Sequence, residues 1–177
     1  MAKKEIQSLM IGISGVRGIV GDTLTPELLT RLGAAYGTYI NGGTVVIGRD
    51  TRTSGPMIKH SVLGGLLSTG ARVIDIDICA TPTCQLMIEE LKADGGIVIS
   101  GSHNPAEWNA LKFYGGDGLF IDEERGNTLR ASVESRQSFD VGAFHVGTYQ
   151  RDELSVERHI NAVLALPFLK LDAIRAR

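Results

Sequence analysis

The feature that most constrains the fold is a regular alternation of short apolar runs and helical patterns along residues 8–121. The β-branched runs at 44–48 and 96–99 are typical of strands buried on both faces. Apolar residues at helical spacing separate these runs, and one helical pattern starts at Thr25-Pro26, an N-cap followed by proline. The order β-α-β-α-β-α-β-loop-β predicts an α/β fold whose short connections are right-handed crossovers.

Composition and charge exclude several classes of protein. The 177 residues, of which 43% are hydrophobic and 21% charged, can build one good-sized globular domain. A formal net charge of −2 gives no general attraction for nucleic acid or anionic membranes. The chain has no apolar run long enough to span a bilayer and no apolar signal-peptide core. We therefore expect a cytoplasmic protein with reduced cysteines and with neither a nucleic-acid nor a membrane partner.

The segment 95–118 contains the best candidate for a reactive centre. Its first run ends in the turn-forming sequence SGSHNP at 100–105, which we call the serine loop. Open α/β sheets bind ligands beyond the carboxyl ends of such strands. Ser102 either satisfies backbone groups in the turn or acts as a nucleophile or phosphate carrier. In the second interpretation His103 handles a proton and Lys112 supplies positive charge.

Charged residues accompany two other strand-like runs. Arg17 lies between glycine and apolar residues, so it either pairs with a buried carboxylate or points into an anion site. Arg49, Asp50 and Arg52 follow the run at 44–48. They form either a salt-bridged loop or part of the crevice at the serine loop, because parallel strands end at the same edge of a sheet.

Asp75 and Asp77 share one face of a predicted strand. Two carboxylates on one face resemble a pair of metal ligands. No third ligand follows at nearby spacing, so a metal site is not expected there.

Four motifs stand in order along the chain. They are GISGVRG at 12–18, GRDTRTSG at 48–55, ATPT at 80–83 and ISGSHNP at 99–105, followed by Asn109 and KFYG at 112–115. Together they resemble the α-D-phosphohexomutases, which include the phosphoglucosamine, phosphomannose and phosphoglucose mutases, and KFYG favours the first of these. The resemblance covers residues 8–135 strongly and implies a three-layer α/β/α sandwich with a mostly parallel, mixed sheet, domain I of a four-domain enzyme.

The resemblance implies a phosphoserine mechanism. Ser102 falls where the family carries its transferable phosphate, which passes to a hexose or hexosamine monophosphate and gives a hexose bisphosphate intermediate. Lys112 and Arg17 match positions near that phosphate, and His103 matches a position that assists proton transfer or loop geometry. The residues expected to bind substrate or phosphate, or to support the loop, are Arg49, Asp50, Arg52, Asn104 and Asn109.

The resemblance also implies parts that lie outside this chain. Phosphorylated Ser102 is expected to give Mg²⁺ one ligand, and a later domain the others, because this hard cation needs several oxygens. We expect domain I at 1–137, a connection at 138–150 and a helix at 151–177 that leads to an absent second domain. The isolated chain is expected to be inactive without the remaining domains. The alternative is a fragment that folds and binds only an anion.

Two positions depart from the family pattern. Gly101 stands where the family usually has alanine, which predicts a slightly looser serine loop. Ile13-Ser14 stand where Thr-Asp or Tyr-Asp is common. That first motif therefore does not identify the sugar.

Overall fold

The computed structural model describes residues 10–12, 15–135 and 141–175. In these ranges the strands are β1 (Met10–Gly12), β2 (Gly15–Ile19), β3 (Thr44–Arg49), β4 (Arg72–Ile78), β5 (Gly95–Ile99), β6 (Trp108–Gly115) and β7 (Thr148–Arg151). The helices are α1 (Pro26–Tyr39), α2 (Gly55–Ser68), α3 (Thr81–Glu90), α4 (Glu123–Ser135), α5 (Ser155–Leu164) and α6 (Leu171–Arg175).

The seven strands form one mixed sheet in the order β1-β2-β6-β5-β3-β4-β7. Strands β5, β3, β4 and β7 run parallel to their neighbours within that half of the sheet. The pairs β5–β6, β6–β2 and β2–β1 are antiparallel. The predicted α/β class and mixed sheet are confirmed, with the parallel pairing confined to one half.

Apolar residues divide the structure into three layers. Val45 and Ile47 of β3 belong to a cluster that includes Leu32 of α1 and Ile58 of α2. Val46, between them in sequence, belongs to a second cluster with Cys84, Met87 and Ile88 of α3. Because alternate residues of a strand face opposite sides, the sheet lies between α1 and α2 on one face and α3 on the other.

The start of α1 follows its sequence signal closely. The Thr25 side chain accepts a hydrogen bond from the Leu28 backbone N–H at 3.3 Å, and Pro26 is the first helical residue. This contact satisfies one of the backbone donors that a helix start leaves free. The predicted N-cap is therefore confirmed.

The amino-terminal run at 8–20 reads in sequence as one interrupted strand, and this prediction is wrong. Residues 10–12 and 15–19 form two strands that pair antiparallel. Gly15 has a φ of +121°, and a Cβ there would lie 2.0 Å from the Leu111 carbonyl oxygen. Only glycine allows this backbone conformation and close approach at the start of β2. Residues 1–9 and Ile13-Ser14 lie outside the described ranges.

The carboxyl-terminal part contains one unexpected strand, and its helices differ from the prediction. The segment 151–177 is predicted as a helix, whereas its described residues form α5 and α6 as two separate helices, and Arg151 lies in β7. The sequence predicts an irregular connection over 138–150, yet 148–151 form β7, which pairs parallel with β4. All four β7 residues are exposed, so the strand lacks the apolar alternation that would reveal it. The predicted boundaries at 137 and 151 stay predictions, and residues 136–140 and 176–177 are not described. None of the helices in the described ranges has the length and hydrophobicity needed to cross a membrane.

Candidate functional site

The serine loop projects from the carboxyl end of β5. Ser100 N–H donates to the Ala110 carbonyl at 3.0 Å, and beyond this bond the chain turns away from the sheet. Ser102 is exposed and has a φ of +52°, a left-handed conformation that is uncommon for residues other than glycine. Its Oγ lies 3.4 Å from His103 Nδ1. The loop therefore presents a hydroxyl to solvent beside an imidazole.

Arg52 holds the backbone of this loop. Its Nη1 donates to the carbonyls of Pro105 at 2.6 Å and Trp108 at 3.0 Å. Its Nη2 donates to the carbonyls of Ser102 at 3.1 Å and Asn104 at 2.6 Å. Four backbone carbonyls thus converge on one guanidinium, which makes Arg52 a loop-supporting residue in this structure.

Asp50 connects Arg52 to the serine loop at a second point. One carboxylate oxygen accepts a hydrogen bond from Arg52 N–H at 3.0 Å, and the other accepts one from Gly101 N–H at 3.1 Å. The second oxygen also lies 3.3 Å from Arg52 Nε. The side chain therefore ties the loop after β3 to the loop after β5, as the shared sheet edge predicts.

Gly101 lies directly against the guanidinium. A Cβ at this position would be 2.4 Å from Arg52 Cζ and 2.5 Å from Nε. With the alanine that is usual in the family, the flexible end of Arg52 would have to shift. The slightly looser loop expected from this glycine stays a prediction.

Two asparagines support the same region. Asn109 is fully buried, its Nδ2 donates to Ser54 Oγ at 2.9 Å, and its Oδ1 accepts from Ala110 N–H at 2.8 Å. Asn104 N–H donates to the Gly101 carbonyl at 3.0 Å. These contacts fix backbone and side-chain positions below the loop. The Ser54 contact could not be predicted, because nothing in the sequence pairs that hydroxyl with a residue 55 positions away.

Arg49 belongs to an ion-pair cluster next to this site. Its Nε donates to Asp77 at 2.8 Å, and one Nη donates to the Asp50 carbonyl at 3.2 Å. Asp77 also lies 3.3 Å from Lys59 Nζ and 3.1 Å from Arg151 of β7. Burial alone raises the pKa of Asp77, but the charges of Lys59 and Arg49 outweigh it and hold that pKa below the ordinary value.

The second aspartate of the predicted pair is fully buried. Asp75 accepts hydrogen bonds from Lys59 Nζ at 2.6 Å and from the Tyr149 hydroxyl at 2.8 Å. The hydrogen bond to Asp75 is the main cause that raises the pKa of Tyr149. Within the described ranges, no group of three or more His, Cys, Asp or Glu side chains could hold a metal ion. The two carboxylates instead compensate a buried lysine.

Arg17 and Lys112 share one face of the sheet. Arg17 pairs with Ala110 across β2 and β6, and Lys112 follows two positions later on β6, so both side chains project to the same side. Arg17 is exposed and Lys112 is partly buried. Neither side chain has a hydrogen bond or ion pair with another described residue. Because Ser100 bonds to Ala110, these two cations lie beside the base of the serine loop.

The predicted site residues therefore form two groups at one edge of the sheet. The held group, whose side chains or, for Asn104, backbone groups bond to the protein, consists of Arg49, Asp50, Arg52, Asn104 and Asn109. The open group, which faces solvent or has a charge without a partner among the described residues, consists of Ser102, His103, Lys112 and Arg17. A hydroxyl, an imidazole and two such cations at a loop held by Arg52 can accept and stabilise a transferable anion.

Comparison with known proteins agrees with this arrangement. Residues 8–140 match the family model for phosphoglucomutase/phosphomannomutase, alpha/beta/alpha domain I. The chain belongs to this phosphohexomutase family. Its serine loop, both arginine motifs and the whole sheet except β7 lie within the matched residues.

Two curated relatives come from Thermococcus kodakarensis. A protein named "Probable phosphoglucosamine mutase" is 44% identical over 161 residues, which cover 91% of this chain and 35% of the relative. A protein named phosphoglucomutase/phosphomannomutase is 44% identical over 159 residues, which cover 87% of this chain and 35% of the relative. The chain thus spans about a third of the length of the curated phosphohexomutases that it matches.

A solved structure shows the same fold. A protein from Thermus thermophilus that is assigned as a phosphomannomutase superimposes with a TM-score of 0.80 at 30% identity. The superposition covers 94% of this chain and 37% of that protein. The architecture described above is therefore that of domain I of the phosphohexomutases.

Proposed function

We propose that this chain is the phosphate-carrying, amino-terminal domain of a phosphohexomutase. The whole enzyme would interconvert the 1- and 6-phosphates of a hexose or hexosamine, with glucosamine phosphate favoured because several relatives carry the name phosphoglucosamine mutase. The observation that carries the proposal is the exposed Ser102 hydroxyl on a held loop whose base adjoins Arg17 and Lys112, two cations with no partner among the described residues.

In the proposed reaction Ser102 alternates between a phosphoserine and a free hydroxyl. A sugar hydroxyl oxygen attacks the phosphorus, its proton leaves to a base, and the bond from phosphorus to Ser102 Oγ breaks. The product is a hexose bisphosphate, which reorients and returns its other phosphoryl group to the serine by the reverse step. Such transfers depend chiefly on positioning and on neutralisation of charge.

The open group supplies the chemistry in this proposal. Lys112 and Arg17 would offset negative charge on the transferring phosphoryl group, because neither cation is neutralised by a described residue. His103, whose Nδ1 lies 3.4 Å from Ser102 Oγ, would accept or return the proton, or fix the loop geometry.

This chain would supply only some of the ligands of the proposed Mg²⁺. Its described residues contain no cluster of metal-ligating side chains, and Ser102 would contribute one oxygen, through its phosphate. The other ligands would come from a part of the enzyme beyond these residues, so no step is assigned to the metal here.

For the isolated 177-residue chain we propose anion binding without turnover. The chain spans about a third of the length of its relatives. Arg17 and Lys112, which have no partner among the described residues, can attract a phosphate. Measurable mutase activity of the purified chain alone would contradict this second proposal.

The test uses the whole enzyme with glucosamine 6-phosphate and a trace of the matching bisphosphate. Ser102→Ala should lower turnover by at least about 10³-fold, because the group that carries the phosphate is gone. Ser100→Ala is the matched control in the same loop. It removes the hydroxyl that accepts from Ser102 N–H at 3.1 Å but leaves the Ser102 hydroxyl, so turnover should stay within about tenfold. Full turnover by Ser102→Ala would contradict the proposed mechanism.

A further inference from the structure

The contacts of Arg52 carry an inference about how the serine loop is positioned. We infer that the Arg52 guanidinium sets the loop conformation that orients Ser102. The inference rests on the proposed phosphoserine function and assigns Arg52 as a positioning residue, not as a ligand of the sugar phosphate.

The first reason is that the guanidinium has no nitrogen left for a substrate. Its two Nη atoms donate to the carbonyls of residues 102, 104, 105 and 108, and its Nε lies 3.3 Å from the Asp50 carboxylate. Only 16% of the side chain is exposed. A lysine could not replace this fork, because an ammonium has three donors on a single atom.

The second reason is the conformation that these bonds impose. A loop whose carbonyls point to one centre must curl around it, and the curl includes Ser102 at a φ of +52°. A left-handed residue other than glycine costs on the order of 1–2 kcal/mol unless the surroundings fix it. Without the cation, four carbonyl dipoles would face each other with no donor, so the loop would open and Ser102 would leave this conformation.

The functional test is chemical rescue in the whole enzyme. Arg52→Ala should lower kcat about 10²-fold, as expected for a misplaced reactive group, while the KM for the sugar phosphate stays within about threefold. Added guanidinium ion should raise the kcat of Arg52→Ala at least about tenfold, because it refills the space that the side chain left. Guanidinium ion should not raise the turnover of Ser102→Ala, because that variant lacks the group proposed to carry the phosphate. Arg52→Lys should not restore the wild-type rate.

A structural readout separates failure of the inference from failure of the proposed function. Amide hydrogen exchange across residues 100–108 should rise in Arg52→Ala, whether or not Ser102 carries phosphate. Unchanged exchange in this folded variant would overturn the inference. A raised KM with unchanged kcat would overturn it too, because Arg52 would then bind substrate directly. An unphosphorylated but active wild-type enzyme would overturn the proposed function and, with it, the catalytic part of the inference.

Discussion

Two arginines at the same edge of the sheet have opposite surroundings. Arg52 is mostly buried, and every nitrogen of its guanidinium has an oxygen partner in the protein. Arg17 is exposed and has no partner among the described side chains. The first is a member of the held group and the second of the open group. The comparison shows that residue type and position in the fold do not determine a role, whereas the partners of a side chain do.

The difference has an energetic basis. A buried charge must be paired, so the held group contributes to stability and removal of one member leaves other polar groups without partners. An exposed, unpaired cation costs little and stabilises little. Substitutions in the held group should therefore change both stability and catalysis, whereas those in the open group should change catalysis alone.

Among the substitutions that compare the two groups, Lys112→Met in the open group should have the largest effect, and that effect is on catalysis. This change keeps the apolar stem but removes the charge proposed to offset the transferring phosphoryl group, so kcat/KM should fall about 10²-fold. The melting temperature should stay within about 2 °C of the wild-type value. Lys170→Met, at an exposed position in the carboxyl-terminal part, is the control and should change neither quantity. A large loss of stability in Lys112→Met would break the distinction between the two groups.

The next largest effect should be the loss of stability in Asp50→Ala, a change in the held group. It leaves the N–H groups of Gly101 and Arg52 without their acceptor and removes the carboxylate beside the guanidinium. The free energy of unfolding should fall by about 2–3 kcal/mol, measured by urea denaturation. Asp22→Ala, at an exposed aspartate, should lower it by less than about 0.5 kcal/mol. Equal stability of the two variants would show that the held group does not support the loop.

The smallest effect is a pH dependence from Asp77, which extends the held group through Arg49 to β7. Its pKa is lower in the folded protein than in the unfolded chain, so its contribution is fully present above about pH 4 and is lost as the pH falls through the folded pKa. Asp77→Asn should lower the free energy of unfolding by about 1 kcal/mol at about pH 7. The difference from the wild type should shrink below about pH 4. A difference that grows on acidification would contradict this assignment.

The sequence predicts the fold better than it predicts the roles of the site residues. Hydrophobic patterns and the Thr25 cap identify most elements, because buried strands and helix starts have local signals. The sequence does not predict β7, since its four residues are exposed and its side-chain contacts, such as that of the Tyr149 hydroxyl with Asp75, join residues 74 positions apart. The sequence also does not predict that the amino-terminal run forms two antiparallel strands, because this arrangement depends on the close approach of Gly15 to Leu111.

For the site residues, the sequence predicts the position but not the role. Strand-end topology correctly places the loop at 49–52 beside the serine loop, since Asp50 and Arg52 bond to it. The sequence leaves open whether these residues bind a phosphate or hold the loop. That choice depends on partners about 50 positions away, such as the Asn104 carbonyl that accepts from Arg52, and no local pattern encodes them.

The most direct test of the central proposal locates the phosphate itself. The whole enzyme is incubated with the hexose bisphosphate, its intact mass is measured, and the modified peptide is mapped. The account predicts one phosphoryl group per chain on Ser102, absent in Ser102→Ala and retained in Lys170→Met. A phosphoryl group on another residue, or an active enzyme with no phosphoryl group, would contradict it.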